Sequence, residues 1–145
     1  MKKEIGLWID QHKAVIVILT VKGEEVRRIE SEVKGLDRFA LDPASNSASK
    51  QIRRERLETC LAGYYKRVFT IIRTAKSILI FGPGEAKNRL EEQMKGAGLE
   101  EHIVDIQTDG EMTDRQITAK VNRYFSNNRR SYLLNEIPDP YAENR

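Results

Sequence analysis

The sequence predicts an α/β domain built on a mixed five-stranded sheet, and three observations carry that expectation. Two apolar runs near the start, residues 5–10 and 14–20, are joined by the tight connection Asp10-Gln11-His12-Lys13, the spacing of an antiparallel hairpin. A long helix over residues 49–75 then carries a stripe of apolar residues at helical spacing from Leu57 onwards. After it, short apolar strands alternate with amphipathic helices, an order that favours parallel pairing.

The first strand reads Ile5-Gly6-Leu7-Trp8-Ile9-Asp10. The second, Ala14-Val15-Ile16-Val17-Ile18-Leu19-Thr20, is apolar almost without interruption, which fits a strand covered on both faces. A turn at Lys22-Gly23-Glu24 leads into a more polar third strand over residues 25–33, an edge strand by its charge. Residues 35–50 differ in kind. Leu36, Phe39 and Leu41 are their only large apolar side chains, and Asp42-Pro43-Ala44-Ser45-Asn46-Ser47-Ala48-Ser49 has the composition of a loop. In the long helix that follows, Leu57, Leu61, Tyr64, Val68, Ile71 or Ile72, and Ala75 share one face. Projected backwards at about 100° per residue, that face passes through Lys50, Arg53 and Arg54, so the stripe turns from apolar to basic. A helix of this kind is expected to run past the edge of its sheet and to project together with the loop before it.

Ser77-Ile78-Leu79-Ile80-Phe81 is the fourth strand, stopping at Gly82-Pro83-Gly84. A helix over residues 85–95 turns Ala86, Leu90 and Met94 inward and ends at Gly96 or Gly98. Ile103-Val104-Asp105-Ile106 is the fifth strand, and a helix over residues 113–125 carries Ile117, Val121 and Phe125 at spacing four, with Asp114 in its first turn. The resulting order, β-β-β-α-β-α-β-α, is the layout of the ribonuclease H-like fold. One domain is expected over residues 1–126, with a C-terminal tail over 127–145 that carries the apolar patch Tyr132-Leu133-Leu134.

Composition narrows the function classes. The 145 residues, 39% apolar and 32% charged, suit one globular domain. No run approaches the ~18–20 apolar residues of a membrane span, and the opening residues lead into no signal-peptide stretch. Cys60 is alone, which excludes an internal disulfide and suits a reducing cytosol. With His12 and His102 far apart, the usual zinc sites are excluded too. No metal, no cofactor and no membrane partner are therefore expected, and a cytoplasmic location is.

The net charge of +3 is unevenly spread. Residues 1–49 are balanced, and residues 77–145 carry an acidic surplus of three. Residues 50–76 hold eight basic side chains (Lys50, Arg53, Arg54, Arg56, Lys66, Arg67, Arg73 and Lys76) against Glu55 and Glu58. Such a cluster neutralises phosphates and releases their counterions, the main source of nucleic-acid affinity. A solvated helix face has the same composition.

Other motifs are read with their plainer alternatives. Gly82-Pro83-Gly84 before a helix, with Lys87 one turn in, can hold an anion on backbone N–H groups, or can be a turn that needs glycine dihedrals. It is neither a Walker A nor a dinucleotide fingerprint. Asp10 ends the first strand, where nucleases of this layout keep a metal-binding carboxylate, but two-metal chemistry needs companions. Glu85, Asp105 and Asp109 are the nearest candidates, and the alternative for Asp10 is a turn residue bonding its own backbone. His12 and His102 read as surface residues, and Cys60 and Trp8 as core. Tyr65, beside Lys66-Arg67, is left free to stack on RNA because Tyr64 lies on the apolar stripe.

Three stretches together resemble a known family. Ser49-Lys50-Gln51-Ile52-Arg53-Arg54-Glu55-Arg56, then Tyr64-Tyr65-Lys66-Arg67-Val68, then Phe81-Gly82-Pro83-Gly84-Glu85-Ala86-Lys87 are similar to the central domain of archaeal and eukaryotic peptide-chain release factors and of pelota. Gly6-Leu7-Trp8-Ile9-Asp10 with Ala14-Val15-Ile16 looks like small bacterial stand-alone relatives of that domain, the translational machinery proteins. The resemblance implies a flexible loop leading into a long basic helix, with a Gly-Pro-Gly-x-x-Lys turn after the next strand. Release factors place a Gly-Gly-Gln tripeptide in that loop to cleave peptidyl-tRNA. Here the loop is Ser45-Asn46-Ser47-Ala48-Ser49-Lys50-Gln51, without the glycines that permit the required backbone. Pelota also lacks the tripeptide and acts in ribosome rescue without hydrolysing the ester.

The expected function is thus a non-catalytic ribosome- or RNA-associated module of translation, with the ribosome, rRNA or tRNA as partner. Lys50, Arg53, Arg54, Arg56, Lys66, Arg67 and Arg73 would meet phosphates. Ser47, Ser49 and Gln51 would belong to the probing loop, and Gly82, Gly84 and Lys87 to a second anion contact. The alternatives are a hydrolase, as a nuclease using Asp10 or a residual esterase using Gln51, and a protein-interaction module whose tail docks on a partner or forms a homodimer.

Overall fold

The computed structural model describes residues 3–33 and 47–136, with side chains over 3–33 and 50–127. The strands form a single sheet in the order β3-β2-β1-β4-β5. β1 (Glu4–Ile9) pairs antiparallel with β2 (Lys13–Thr20), with Leu7 opposite Ile16, and β2 pairs antiparallel with β3 (Gly23–Glu30), with Val17 opposite Val26. The connection between β1 and β2 is stabilised by the Asp10 carboxylate. Its Oδ1 accepts the backbone N–H of His12 at 2.8 Å and of Lys13 at 2.9 Å, the bonding of its own turn that the sequence offered as the alternative to metal binding.

The second turn is shorter than the sequence suggests. Thr20 stands opposite Gly23, so Val21-Lys22 alone makes the turn, and Gly23 closes it at a φ of 134°. β3 also ends earlier than the expected Val33. The Ser31 amide donates to the His12 carbonyl at 2.9 Å and Glu32 takes a φ of 64°, which draws the chain out of the ladder after Glu30.

α1 (Ser47–Ile72) leads into β4 (Ser77–Gly82), which pairs parallel with β1, Ile80 opposite Leu7. α2 (Ala86–Gly96) and a 3-10 turn at Glu100–His102 lead into β5 (Ile103–Thr108), parallel to β4. A bulge shifts the register here, because Ile78 opposes Ile103 while Leu79 opposes Asp105. Val104 is the extra residue, and it lets Ile103 and Ile106 both reach the same apolar cluster, which strict alternation would forbid. α3 (Asp114–Glu136) follows, continuing past Phe125, where the apolar stripe in the sequence ends.

Helices cover both faces. On one, α1 and α2 bury Leu61, Tyr64, Tyr65, Val68, Ile72, Leu90 and Met94 against Ile5, Leu7, Ile9, Ile16, Ile78 and Ile80. On the other, Ile117, Val121 and Phe125 of α3 pack on Trp8, Val15, Val17, Leu79 and Phe81. That explains why β2 is apolar on both faces: each of its sides meets a helix layer. Gly6 is where α3 comes closest to the sheet, since a Cβ there would stand 2.4 Å from Val121 Cγ2. Among the described residues no helix is long and apolar enough to cross a membrane.

Candidate nucleic-acid interface

α1 has two halves with different surroundings. From Leu61 onwards it is a core helix, with Leu61, Tyr64, Tyr65, Val68 and Ile72 all buried. Before Leu61 none of the described side chains is buried: Gln51, Ile52, Arg54, Glu55, Arg56, Glu58 and Thr59 are exposed, and Lys50, Arg53, Leu57 and Cys60 are half-buried. The basic continuation of the apolar stripe therefore corresponds to a change of environment.

The direction of the helix follows from its contacts. Tyr64 donates its hydroxyl to the Asp10 carbonyl at 2.8 Å, which fixes the middle of α1 at the C-terminal end of β1. Arg67 donates from Nη2 to the Glu30 carbonyl at 3.0 Å, and the Cys60 thiol donates to the Ser31 carbonyl at 2.9 Å, so the end of β3 also holds the helix. From Tyr64 back to Lys50 the axis extends a further ~21 Å at about 1.5 Å per residue. Lys50, Arg53, Arg54 and Arg56 thus lie on an arm projecting beyond the C-terminal ends of β1 and β4. Glu55 faces Gln51 across one turn, with Gln51 Nε2 donating to its Oε2 at 3.5 Å, and Glu58 pairs with Arg89 of α2 at 3.5 Å. Each of the arm's two exposed carboxylates thus meets a neighbour, while Arg54 and Arg56 are exposed and Lys50 and Arg53 half-buried beside them.

The seven basic residues expected to act together are only partly brought together. Four share the arm. Lys66 is exposed on the packed half, ~15 Å further along the axis than Arg56. Arg67 is committed to the Glu30 carbonyl, and the Arg73 guanidinium lies 5.3 Å over the Phe69 ring. Ser47, Ser49 and Gln51 are placed in the first turns of α1 and not in a loop, because the helix begins at Ser47. The side chains of Ser47 and Ser49, like Ser45 and Asn46 of the expected probing loop, lie outside the described residues.

The Gly82 turn lies at the same end of the sheet as the arm. Gly82 takes a φ of 143° and Gly84 of 66°, so the turn needs glycine at both positions for its dihedrals. A Cβ on Gly82 would also stand 2.3 Å from the Ile9 carbonyl oxygen. Lys87 is 7% exposed and donates its ammonium to the Gly84 carbonyl at 2.6 Å. It braces the turn that precedes its own helix, a role the Gly-Pro-Gly-x-x-Lys spacing alone did not reveal.

Two other sequence expectations change. Tyr65 is 4% exposed, with its ring against Tyr64 and under the Arg89 guanidinium at 5.3 Å. It is core, and burial pushes its phenol pKa upwards. Residues 64 and 65 are both buried because α1 is covered on two sides, by the sheet and by α2, and the one-face stripe missed the second. Two of the three acidic residues proposed around Asp10 are also occupied elsewhere. Asp109 pairs with Lys120 at 3.1 Å, and Asp105 accepts from the Ile106 amide and from Gln107. Among the described residues no three His, Cys, Asp or Glu side chains come together as a metal set. The two-metal route therefore lacks the companion carboxylates it needs among these residues.

No protein-family model and no curated protein matches the chain. Solved structures do. The Pelota protein of Thermoplasma acidophilum superposes with a TM-score of 0.50 at 14% identity, over 87% of this chain and 32% of its own. An archaeal translation termination factor, aRF1, superposes with a TM-score of 0.53 at 14% identity, over 91% of this chain and 40% of its own. The chain spans 32% of the length of the first and 40% of the second. At such identity the likeness is one of fold, shared with a part of the Pelota protein and a part of an archaeal translation termination factor.

Proposed function

We propose that this protein is a translation-associated RNA-binding module that binds without catalysing a reaction, with the arm of α1 as its phosphate-contacting element. Its architecture is that of the ribonuclease H-like central domain of release factors and pelota, and its partner is the ribosome, through rRNA or tRNA, in the cytoplasm. The observation that carries the reading is the basic first half of α1, with Arg54 and Arg56 exposed and Lys50 and Arg53 half-buried, set beyond the edge of the sheet and backed by a packed second half. The fold shared with two translation factors supports the choice of the ribosome over other polyanions. Lys66 extends the contact along the helix. Gly82, Gly84 and Lys87 act as a rigid support at the same end of the sheet, and Arg67 and Arg73 act through the packing of α1. Absence of a Gly-Gly before Gln51, and the placement of Gln51 within a helix, argue for binding over ester hydrolysis.

The test is co-sedimentation of the purified protein with ribosomes and with separated subunits at about 50 and 200 mM salt, where a contact of several phosphates weakens by orders of magnitude. The expected result is salt-sensitive binding to one subunit, abolished by joint Arg53→Glu, Arg54→Glu and Arg56→Glu. Binding that survives the triple reversal, or no binding at either salt, overturns the reading.

A further inference from the structure

The other end of the sheet order carries an independent message. Among the described residues β3 is an edge strand, and every residue from Gly23 to Arg28 is exposed. Charge on such an edge normally serves to prevent pairing, and for that purpose the order of the charges is immaterial. Here the order is specific: Lys22, Glu24 and Glu25 precede Val26, and Arg27, Arg28 and Glu30 follow it. At equal distances from Val26 each charge meets its opposite.

That is the pattern of a strand complementary to itself. When two copies pair edge to edge about a two-fold axis, residue i opposes j and j opposes i. Opposed residues must also lie on the same face of the sheet, so only registers centred on a residue are allowed. Centred on Val26, Glu25 meets Arg27, Glu24 meets Arg28 and Lys22 meets Glu30, each pair occurring twice, while Val26, 43% exposed, meets its own copy. Centring on Glu25 would set Glu25 on itself and Lys22 on Arg28. Centring on Arg27 would set Arg27 on itself and Glu24 on Glu30. Like charges directly opposed disfavour both.

The backbone agrees. In a two-residue hairpin closed by Thr20 and Gly23, the closing pair is hydrogen-bonded and bonded pairs alternate from there. Gly23, Glu25, Arg27 and Ile29 thus turn their amides and carbonyls to β2, and Glu24, Val26 and Arg28 turn theirs outwards. The outward set is symmetric about Val26. Glu25 and Arg27, now bridged on their own strand at 2.6 Å and both about half exposed, need only rotate to meet their counterparts.

We propose that β3 is a self-association edge, pairing antiparallel with β3 of a second copy about Val26 to make one continuous sheet of ten strands. The contact is small and charge-dependent, so the dimer forms at high protein concentration and is weakened by salt.

Sedimentation equilibrium of the full chain from about 10 µM to 1 mM tests it. The expected result is a mass rising towards twice the monomer, and less so at about 0.5 M salt. Arg27→Glu alone and Glu25→Arg alone each create like-charge oppositions, so each variant stays monomeric. Mixed together they restore both pairs across the axis and form the heterodimer. Val26→Lys, on an exposed position, abolishes pairing while far-UV circular dichroism and the melting temperature stay those of the folded protein. A monomer throughout the concentration range, a dimer that persists in Val26→Lys, or a mixture of the two charge variants that stays monomeric overturns the proposal.

Discussion

One helix carries two different problems in this molecule, and the two halves of α1 solve them in opposite ways. From Leu61 to Ile72 one broad face of it is buried by the sheet and by α2, and specificity lies in shape: Tyr64 fits between the sheet and Tyr65 and ends on the Asp10 carbonyl. From Lys50 to Cys60 nothing is buried, and the sequence is free to choose charge. The difference teaches that a helix can be anchored by half its length and still present the other half to a large partner. The arm needs no core of its own, because intrahelical bonds continue from a fixed segment and the costly nucleation step is already made.

The largest effect is expected in the packed half. Tyr64→Ala removes a fully buried ring, and such truncations cost about 3–5 kcal/mol. A fall in melting temperature of roughly 10–15 °C by calorimetry is expected, with RNA binding of the remaining folded protein unchanged. In the arm the converse holds. Reversing Arg53, Arg54 and Arg56 together should lower ribosome affinity at least tenfold in the sedimentation assay, while the chemical denaturation midpoint moves by the equivalent of about 1 kcal/mol or less.

A finer cut separates shape from polarity within the packed half. Tyr64→Phe keeps the ring and loses the bond to Asp10, an expected cost of about 1 kcal/mol in urea unfolding. It should also alter the alkaline limb. Burial, reinforced by the charge of Asp10 and by Tyr65, holds the Tyr64 hydroxyl well above its usual value of about 10. The folded state therefore keeps a proton that the unfolded chain loses. The stability this represents is complete below about pH 10 and is lost as pH rises further. Unfolding midpoints at pH 8 and at pH 10.5 should differ less in Tyr64→Phe than in the parent protein. The smallest effect is expected at Ile52, 50% exposed on the arm, where truncation to Ala should cost under about 0.5 kcal/mol by the same measurement.

Much of this division was legible in the sequence. The stripe through Leu57, Leu61, Tyr64 and Val68 and its basic continuation through Lys50, Arg53 and Arg54 located both halves, because helical periodicity is a local property. The antiparallel start and the parallel later strands were legible for the same reason, through run length and spacing. What could not be read was decided by partners distant in sequence. Tyr65 is core only because α2 returns to cover it, and Arg67 is occupied only because β3 ends at Glu30 beside it. Lys87 looked like a ligand contact, and its ammonium is instead bonded to a carbonyl three residues back, which composition alone does not distinguish. The bulge at Val104 was invisible because Ile103-Val104-Asp105-Ile106 reads as ordinary strand, and only its pairing with Ile78 and Leu79 reveals the extra residue.

Trp8 is the sole tryptophan of the chain, fully buried in the layer under α3, with its indole N–H donating to the Gly110 carbonyl at 2.9 Å. The protein therefore carries an intrinsic optical probe whose emission is expected to be blue-shifted while α3 and the segment after β5 are in place and to shift red when they come away. The probe sits across the sheet from α1. Trp8 and α1 belong to the two opposite layers, so a change in its spectrum reports on α3 and the face beneath it, and the arm can be altered or labelled without touching the probe.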